Sequence, residues 1–236
     1  VTHSTLVLFD IDGTLVDTAG AGRRGLIASF RAVFGLEDVS QAASRVRFGG
    51  KCDPTIIAEI AREAGLPGEQ VETRYTELQA AYLEALSREM AAPDAARRVM
   101  PGVRALLDGL AARPEVLLGL VTGNIEAGAR AKLAAFDLNR YFIDGGFASD
   151  HPHRPEIARI AHERLSRRAG FRFPAENVVV VGDTELDVDC ALANGFRAIA
   201  VESGWASREV LLASRPHALL ADLTDRDAVM VAMGLV

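Results

Sequence analysis

Cysteine is scarce in this chain of 236 residues: only Cys52 and Cys190 occur, far apart and without a C-x-x-C spacing. That excludes a disulfide framework and a zinc knuckle, and leaves two reduced thiols in a cytoplasmic protein as the expectation. Long hydrophobic runs are missing too. No apolar stretch approaches the roughly 18 residues that a membrane span requires, and the N-terminal VTHSTLVLFD lacks a basic leader, so a soluble, unprocessed protein without membrane association is expected. Basic runs are also absent. Arginines come in short pairs (Arg23 Arg24, Arg97 Arg98, Arg167 Arg168) and the net charge is −6, which argues against nucleic acid as a partner. No internal repeat or low-complexity tract is present.

What the chain does have is apolar residues, 49% of the total, enough for one large domain or a core with a modest insertion. Short runs of strand length end in small or acidic residues: LVLFD at 6, VLLGLVTGN at 116, VVVVGD at 178 and AIAV at 198. Aliphatic runs without alternation are typical of strands buried on both faces. Helical patterns lie between them, after Pro101 and Asn124 and from 155, 185 and 207. Strand and helix in alternation predict a doubly wound, Rossmann-like α/β core with a parallel sheet. Residues 19–98 break this rhythm with three successive helical segments, GLIASFRAVFG, PTIIAEIAREAG and GEQVETRYTELQAAYLEALSREM. The expected division is a core formed by 1–18 and 99–236, and an inserted α-helical cap over 19–98 with hinge-like edges at AGAG and APDAARRVMPG.

Gly20 Ala21 Gly22 Arg23 Arg24 Gly25 spells G-x-G-x-x-G before a helix. A dinucleotide fingerprint must follow its strand directly, whereas nine residues, Asp12 and Asp17 among them, separate Asp10 from Gly20. Those carboxylates would repel a pyrophosphate, so a flexible entry into the insertion is the expected reading.

The polar residues with chemistry sit at strand ends. Asp10 and Asp12 follow LVLF, Thr122 Gly123 Asn124 follow the second run, and Gly182 Asp183 Thr184 with Asp187 follow VVVV. Two carboxylates about 4 Å apart repel by roughly 4 kcal/mol at an effective dielectric near 20, so a compensating positive charge is required. Open α/β sheets bind ligands outside the carboxyl ends of their strands. Oxygen ligands on rigid strand ends suit Mg²⁺, which keeps its waters for a phosphate. His151 and His153, the only close histidine pair, are expected to be loop residues, and zinc is disfavoured.

D-x-D-G-T at Asp10–Thr14, an apolar strand ending at Thr122, and G-D-x-x-x-D from Gly182 to Asp187 resemble the motifs of the haloacid dehalogenase superfamily of aspartate-nucleophile hydrolases. The similarity covers essentially the whole chain, the helical cap included, and the cap loop resembles that of phosphoglycolate phosphatase-like members. It implies that Asp10 is the nucleophile and forms an aspartyl-phosphate, and that Asp12 is the general acid and base. It further implies Mg²⁺ held by Asp10, the backbone carbonyl of Asp12 and Asp183, with Asp187 steadying the cluster. Thr122 and the amides of Gly123 and Asn124 would take phosphoryl oxygens. Spacing alone does not say which of Asp10 and Asp12 attacks. An aspartate at position 12 favours phosphate-ester cleavage over carbon–halogen or phosphonate cleavage. The family's usual lysine before a helix is missing, because no lysine follows Lys132. Arg154, in Asp150 His151 Pro152 His153 Arg154 Pro155, stands at the matching place and takes the cationic, phosphate-gripping role.

Substrate choice is expected in the cap loop Arg45–Pro54, where Arg47 or Lys51 would meet a carboxylate or hydroxyls of a small phosphorylated metabolite. A phosphomutase of the β-phosphoglucomutase type and a non-catalytic phosphate-binding protein remain as alternatives. Oligomeric state, monomer or homodimer, is open.

Overall fold

The computed structural model describes residues 3–235; Val1, Thr2 and Val236, which the expected core includes, lie outside the described residues. Six parallel strands form the main sheet in the order β5-β4-β1-β6-β7-β8. These are β1 (Thr5–Phe9), β4 (Val116–Val121), β5 (Gly145–Gly146), β6 (Val178–Gly182), β7 (Arg197–Val201) and β8 (Ala218–Leu220). From β1 the chain builds outward through β4 to β5, then returns to the other side of β1 to lay down β6, β7 and β8. The order therefore reverses beside β1, and the carboxyl ends of β1, β4 and β6 meet at one crevice.

Alternate residues of β1 point to opposite faces. Val7 and Phe9 join Leu118, Leu120, Val179 and Val181 in one core. That core is covered by α6 (Val103–Ala111), α7 (Glu126–Ala134) and α11 (Arg226–Met233). Leu6 and Leu8 join Val178, Val180 and Ala198 in the other. There the cover is α8 (Arg154–Ala169), α9 (Glu185–Ala193) and α10 (Arg208–Ala213). Burial on both faces is why these strands carry no polar alternation.

Between β1 and β4 the chain makes a second body. It leaves through β2 (Val16–Asp17), forms α1 (Ala21–Phe34), α2 (Val39–Ser44), α3 (Asp53–Glu63), α4 (Gly68–Thr73) and α5 (Tyr75–Ala91), and returns through β3 (Arg98–Val99). Three helical segments were expected and five helices are present: α2 lies outside those three segments, and the long third segment breaks at Arg74. β2 and β3 pair antiparallel, Val16 opposite Val99 and Asp17 opposite Arg98, so the insertion enters and leaves at adjacent points. Its own apolar core is built from Leu26, Phe30, Ile56, Ile57, Ile60, Leu78, Tyr82 and Leu86, with Ile125 contributed from the sheet side.

The G-x-G-x-x-G segment enters the insertion as the cap and first turn of α1. Gly20 has φ +79° and precedes the first turn of α1, a backbone state that glycine reaches without steric cost. A Cβ on Gly22 would lie 3.2 Å from Nζ of Lys132, and one on Gly25 would lie 3.2 Å from the Tyr82 ring. The glycines let α1 pack closely on α5 and on a lysine of α7.

Candidate active site

Asp10 continues β1 by donating its N–H to the carbonyl of Val181 at 2.9 Å, which fixes its backbone between β4 and β6. Asp183 follows β6, and its side chain accepts hydrogen bonds from the Trp205 amide (2.7 Å) and the Thr14 hydroxyl (3.2 Å). Asp187, in the first turn of α9, accepts from the amide (3.0 Å) and hydroxyl (2.6 Å) of Thr184, a capping box that satisfies the helix end. These three carboxylates are buried and offer oxygens within 4.8 Å of one another.

Arg154 opens α8 and is itself buried. Its Nη2 lies 2.8 Å from Asp10 Oδ1 and also pairs with Asp187 Oδ1. Nη1 donates to the carbonyl of Gly50 in the cap loop at 2.9 Å, and Nε is buried without a hydrogen-bond partner. One guanidinium thus pairs with two of the three clustered carboxylates. Burial pushes Asp10 up to about 7, opposed by Arg154 and reinforced by Asp187 and Asp12. Asp183 is held well above the usual carboxylate range by burial, then by Asp187 and Asp10. Such a surplus of buried negative charge fits a hard divalent cation, and an all-oxygen donor set suits Mg²⁺ better than a soft metal.

Asp12 stands apart from this cluster. Its Oδ2 accepts from Lys132 Nζ (2.6 Å) and Asn124 Nδ2 (2.8 Å); Oδ1 has no hydrogen bond among the described residues. Asn124 Oδ1 accepts from Lys132 Nζ at 2.6 Å, and Asn124 Nδ2 also donates to the Thr122 hydroxyl at 2.8 Å. The Asn124 amide leans on the same hydroxyl at 3.3 Å, so part of the expected phosphate-binding turn is engaged internally. Lys132 was missed in the sequence, where it reads as an ordinary helical surface residue; it is buried.

The cap lies over the crevice. Arg47 pairs with Glu185 of the core at 2.7 Å, while Lys51 pairs with Glu59 of α3 at 2.6 Å. Both expected selectors therefore carry a carboxylate partner. Asp53 joins the two bodies more directly: its N–H donates to the carbonyl of Gly123 (2.7 Å) and its carboxylate accepts from the Ile125 amide (2.9 Å). A cavity of about 290 Å³ remains between them, lined by Asp10, Asp12, Thr122, Gly123, Asn124, Lys132 and Arg154 from the core, and by Arg23, Arg47, Phe48, Lys51 and Tyr82 from the cap. His151 and His153 lie outside it, with rings 5.4 Å apart in the loop before α8.

Residues 7–192 match the model of the haloacid dehalogenase-like hydrolase family. The chain belongs to that family. It is an enzyme, a hydrolase of the haloacid dehalogenase type, and its curated relatives include phosphatases by name. A probable phosphatase, IndB, of Dickeya dadantii is 32% identical over 91% of this chain and 88% of its own. A phosphoglycolate phosphatase of Synechococcus elongatus is 31% identical over 93% of each. Among solved structures, CbbY of Rhodobacter sphaeroides in complex with phosphate superimposes with a TM-score of 0.70 over 94% of this chain and 96% of that one, at 22% identity. That likeness shows a fold shared over nearly the whole of both chains. Among the described residues no helix is long and apolar enough to cross a membrane.

Proposed function

We propose that this hydrolase is a Mg²⁺-dependent phosphatase of small phosphomonoesters that works through an aspartyl-phosphate on Asp10. The observation that carries the reading is the position of Asp10. It sits at the end of the central strand, faced by Arg154 and two further buried carboxylates, and lines a cavity beneath the cap together with Asp12 and Thr122.

Asp10 attacks phosphorus, the ester oxygen leaves, and a carboxyl-phosphate bond forms. Asp12 delivers a proton to the leaving oxygen and afterwards takes one from the water that hydrolyses the acyl phosphate. Its Oδ1, free of protein partners among the described residues, is the oxygen open to that traffic. Asp10, Asp183 and Asp187 would hold the cation together with the Asp12 carbonyl, and the cation supplies positive charge against the phosphate oxygens. The Thr122 hydroxyl, with the Gly123 and Asn124 amides, grips equatorial oxygens.

The cavity is small and its rim is cationic. Arg47 and Lys51 have carboxylate partners, but Arg23 makes no ion pair among the described residues; it donates to the Ala43 carbonyl and lies over the Phe48 ring. A second anionic group on the substrate, such as the carboxylate of a phosphoglycolate-like ester, fits this arrangement. The two free, buried thiols suit a cytoplasmic setting.

The test is a phosphomonoester panel with Mg²⁺, followed by mass spectrometry of the acid-quenched enzyme. Inorganic phosphate release and an adduct on Asp10 are expected. An adduct on Asp12, or no turnover on any ester alongside tight binding of one, would sink the mechanism. Delivery of the phosphoryl group to a sugar isomer would make the enzyme a mutase.

A further inference from the structure

We infer that Lys132 is the positioning residue of Asp12, holding its carboxylate in the orientation that lets Oδ1 exchange protons with the leaving oxygen and the attacking water. The inference rests on the proposal above that Asp12 carries those protons.

Lysine is almost never fully buried unless it is paired, and isolating an ammonium from water is expensive. Lys132 is buried on α7, and its Nζ is paired twice, with Asp12 Oδ2 and Asn124 Oδ1, each at 2.6 Å. These bonds fix more than two distances. With Asn124 Oδ1 turned to the ammonium, its Nδ2 must face the other way, where it meets Asp12 Oδ2 at 2.8 Å and the Thr122 hydroxyl at 2.8 Å. Lysine, asparagine and aspartate close a triangle, and every bond to the carboxylate falls on one oxygen. Oδ1 is left for the reaction. A carboxylate able to rotate about its Cβ–Cγ bond would offer either oxygen at random. One pinned by two donors presents the same oxygen in both half-reactions.

The surroundings are shaped for the ammonium. Gly22 of α1 approaches so closely that a Cβ there would stand 3.2 Å from Nζ and 3.4 Å from Cε. Asp53 adds negative charge from the cap, and Lys132 is the main group that draws its carboxyl downward against burial. The lysine is thus enclosed by the start of the cap, the cap's docking aspartate and the phosphate-binding turn.

The experiment compares wild type, Lys132→Met, Asp12→Asn and the double variant in single-turnover and steady-state assays with p-nitrophenyl phosphate and Mg²⁺. If Lys132 acts through Asp12, Lys132→Met lowers kcat at least about tenfold, the scale of lost general acid–base alignment, and KM falls with it, so that kcat/KM holds within about threefold, because only hydrolysis of the aspartyl-phosphate is slowed. Nitrophenolate leaves without needing a proton, so the variant shows a burst close to one equivalent, then slow turnover as the aspartyl-phosphate waits for hydrolysis. In the Asp12→Asn background the same substitution has less than about a twofold effect, the coupling expected of residues acting as one unit. A loss of equal size in both backgrounds, or a raised KM with unchanged kcat, overturns the inference. Should Lys132→Met fail to fold, Gly22→Ala decides: it keeps the lysine but crowds its head, and is expected to lower kcat several-fold in the wild-type background and not in Asp12→Asn. No change in kcat there overturns the inference as well. Failure of the underlying mechanism looks different, because wild type itself would not turn over or Asp12→Asn would be fully active.

Discussion

A single guanidinium between Asp10 and Asp187 must neutralise charge and, with Asp10 as the proposed nucleophile, still leave it free to attack. Arg154 can do both because its planar fork spreads donors over several partners: Nη2 faces the two carboxylates, Nη1 fastens the cap loop at Gly50, and Nε is unspent. Arg154→Ala should lower kcat/KM at least about tenfold, the loss typical of one electrostatic stabiliser; turnover near wild type on the best substrate would remove Arg154 from the chemistry. The place of Arg154 beside the carboxylates was expected from the family resemblance, which sets a cation before a helix start. Lys132 was not. Eight positions beyond Asn124, in a helix with little apolar patterning, its local sequence suggests an exposed residue, and only the packing of α1 and α5 over α7 buries it. A signal existed in composition. Lys51 and Lys132 are the only lysines in a chain that otherwise uses arginine, and a compact ammonium can sit against a glycine where a guanidinium would not fit.

At the scale of elements, α3 is the piece that couples the two bodies. Its first residue, Asp53, exchanges two hydrogen bonds with the turn after β4. Burial raises the Asp53 carboxyl from its usual 3.8 to about 6, with Lys132 and the Ile125 amide opposing. A raised acid favours the folded, docked state most fully below pH 3.8 and loses that contribution as pH climbs through about 6. At about 1.4 kcal/mol per unit the effect is on the order of 3 kcal/mol. Between about pH 4 and 7 the melting temperature of wild type should therefore fall relative to that of Asp53→Asn, which keeps an acceptor but does not titrate. Parallel curves would show that Asp53 does not sense pH. The strands with long aliphatic runs and the helices after them were legible because burial on both faces leaves a plain signature. β2, β3 and β5 are two residues each, too short for any periodicity, and α2 and α4 owe their existence to packing within the cap.

For the whole molecule, a cation bound by the buried carboxylates, as proposed above, would tie folding to its presence. A ligand that binds only the folded state at about a hundred times its Kd adds about 2.7 kcal/mol, or roughly 5–10 °C in Tm for a chain of this size. Saturating Mg²⁺ should raise the Tm of wild type by that amount over a sample in EDTA and leave Asp183→Asn unmoved. Equal responses would place the cation elsewhere. The meeting of β1, β4 and β6 at one crevice followed from strand–helix alternation; how closely the cap sits did not, because docking depends on single contacts such as Arg47 with Glu185 and Gly50 with Arg154.

The pairing of β2 with β3 makes the cap an exchangeable part. Asp17 and Arg98 stand opposite each other as the last pair of a hairpin would, so a two-residue Asn-Gly turn is long enough to replace everything between them. The catalytic frame would keep its sheet and strand ends while losing its enclosure. The same junction would accept the helices of a relative in place of its own, provided they restore the contacts that Gly50 makes with Arg154 and Arg47 with Glu185.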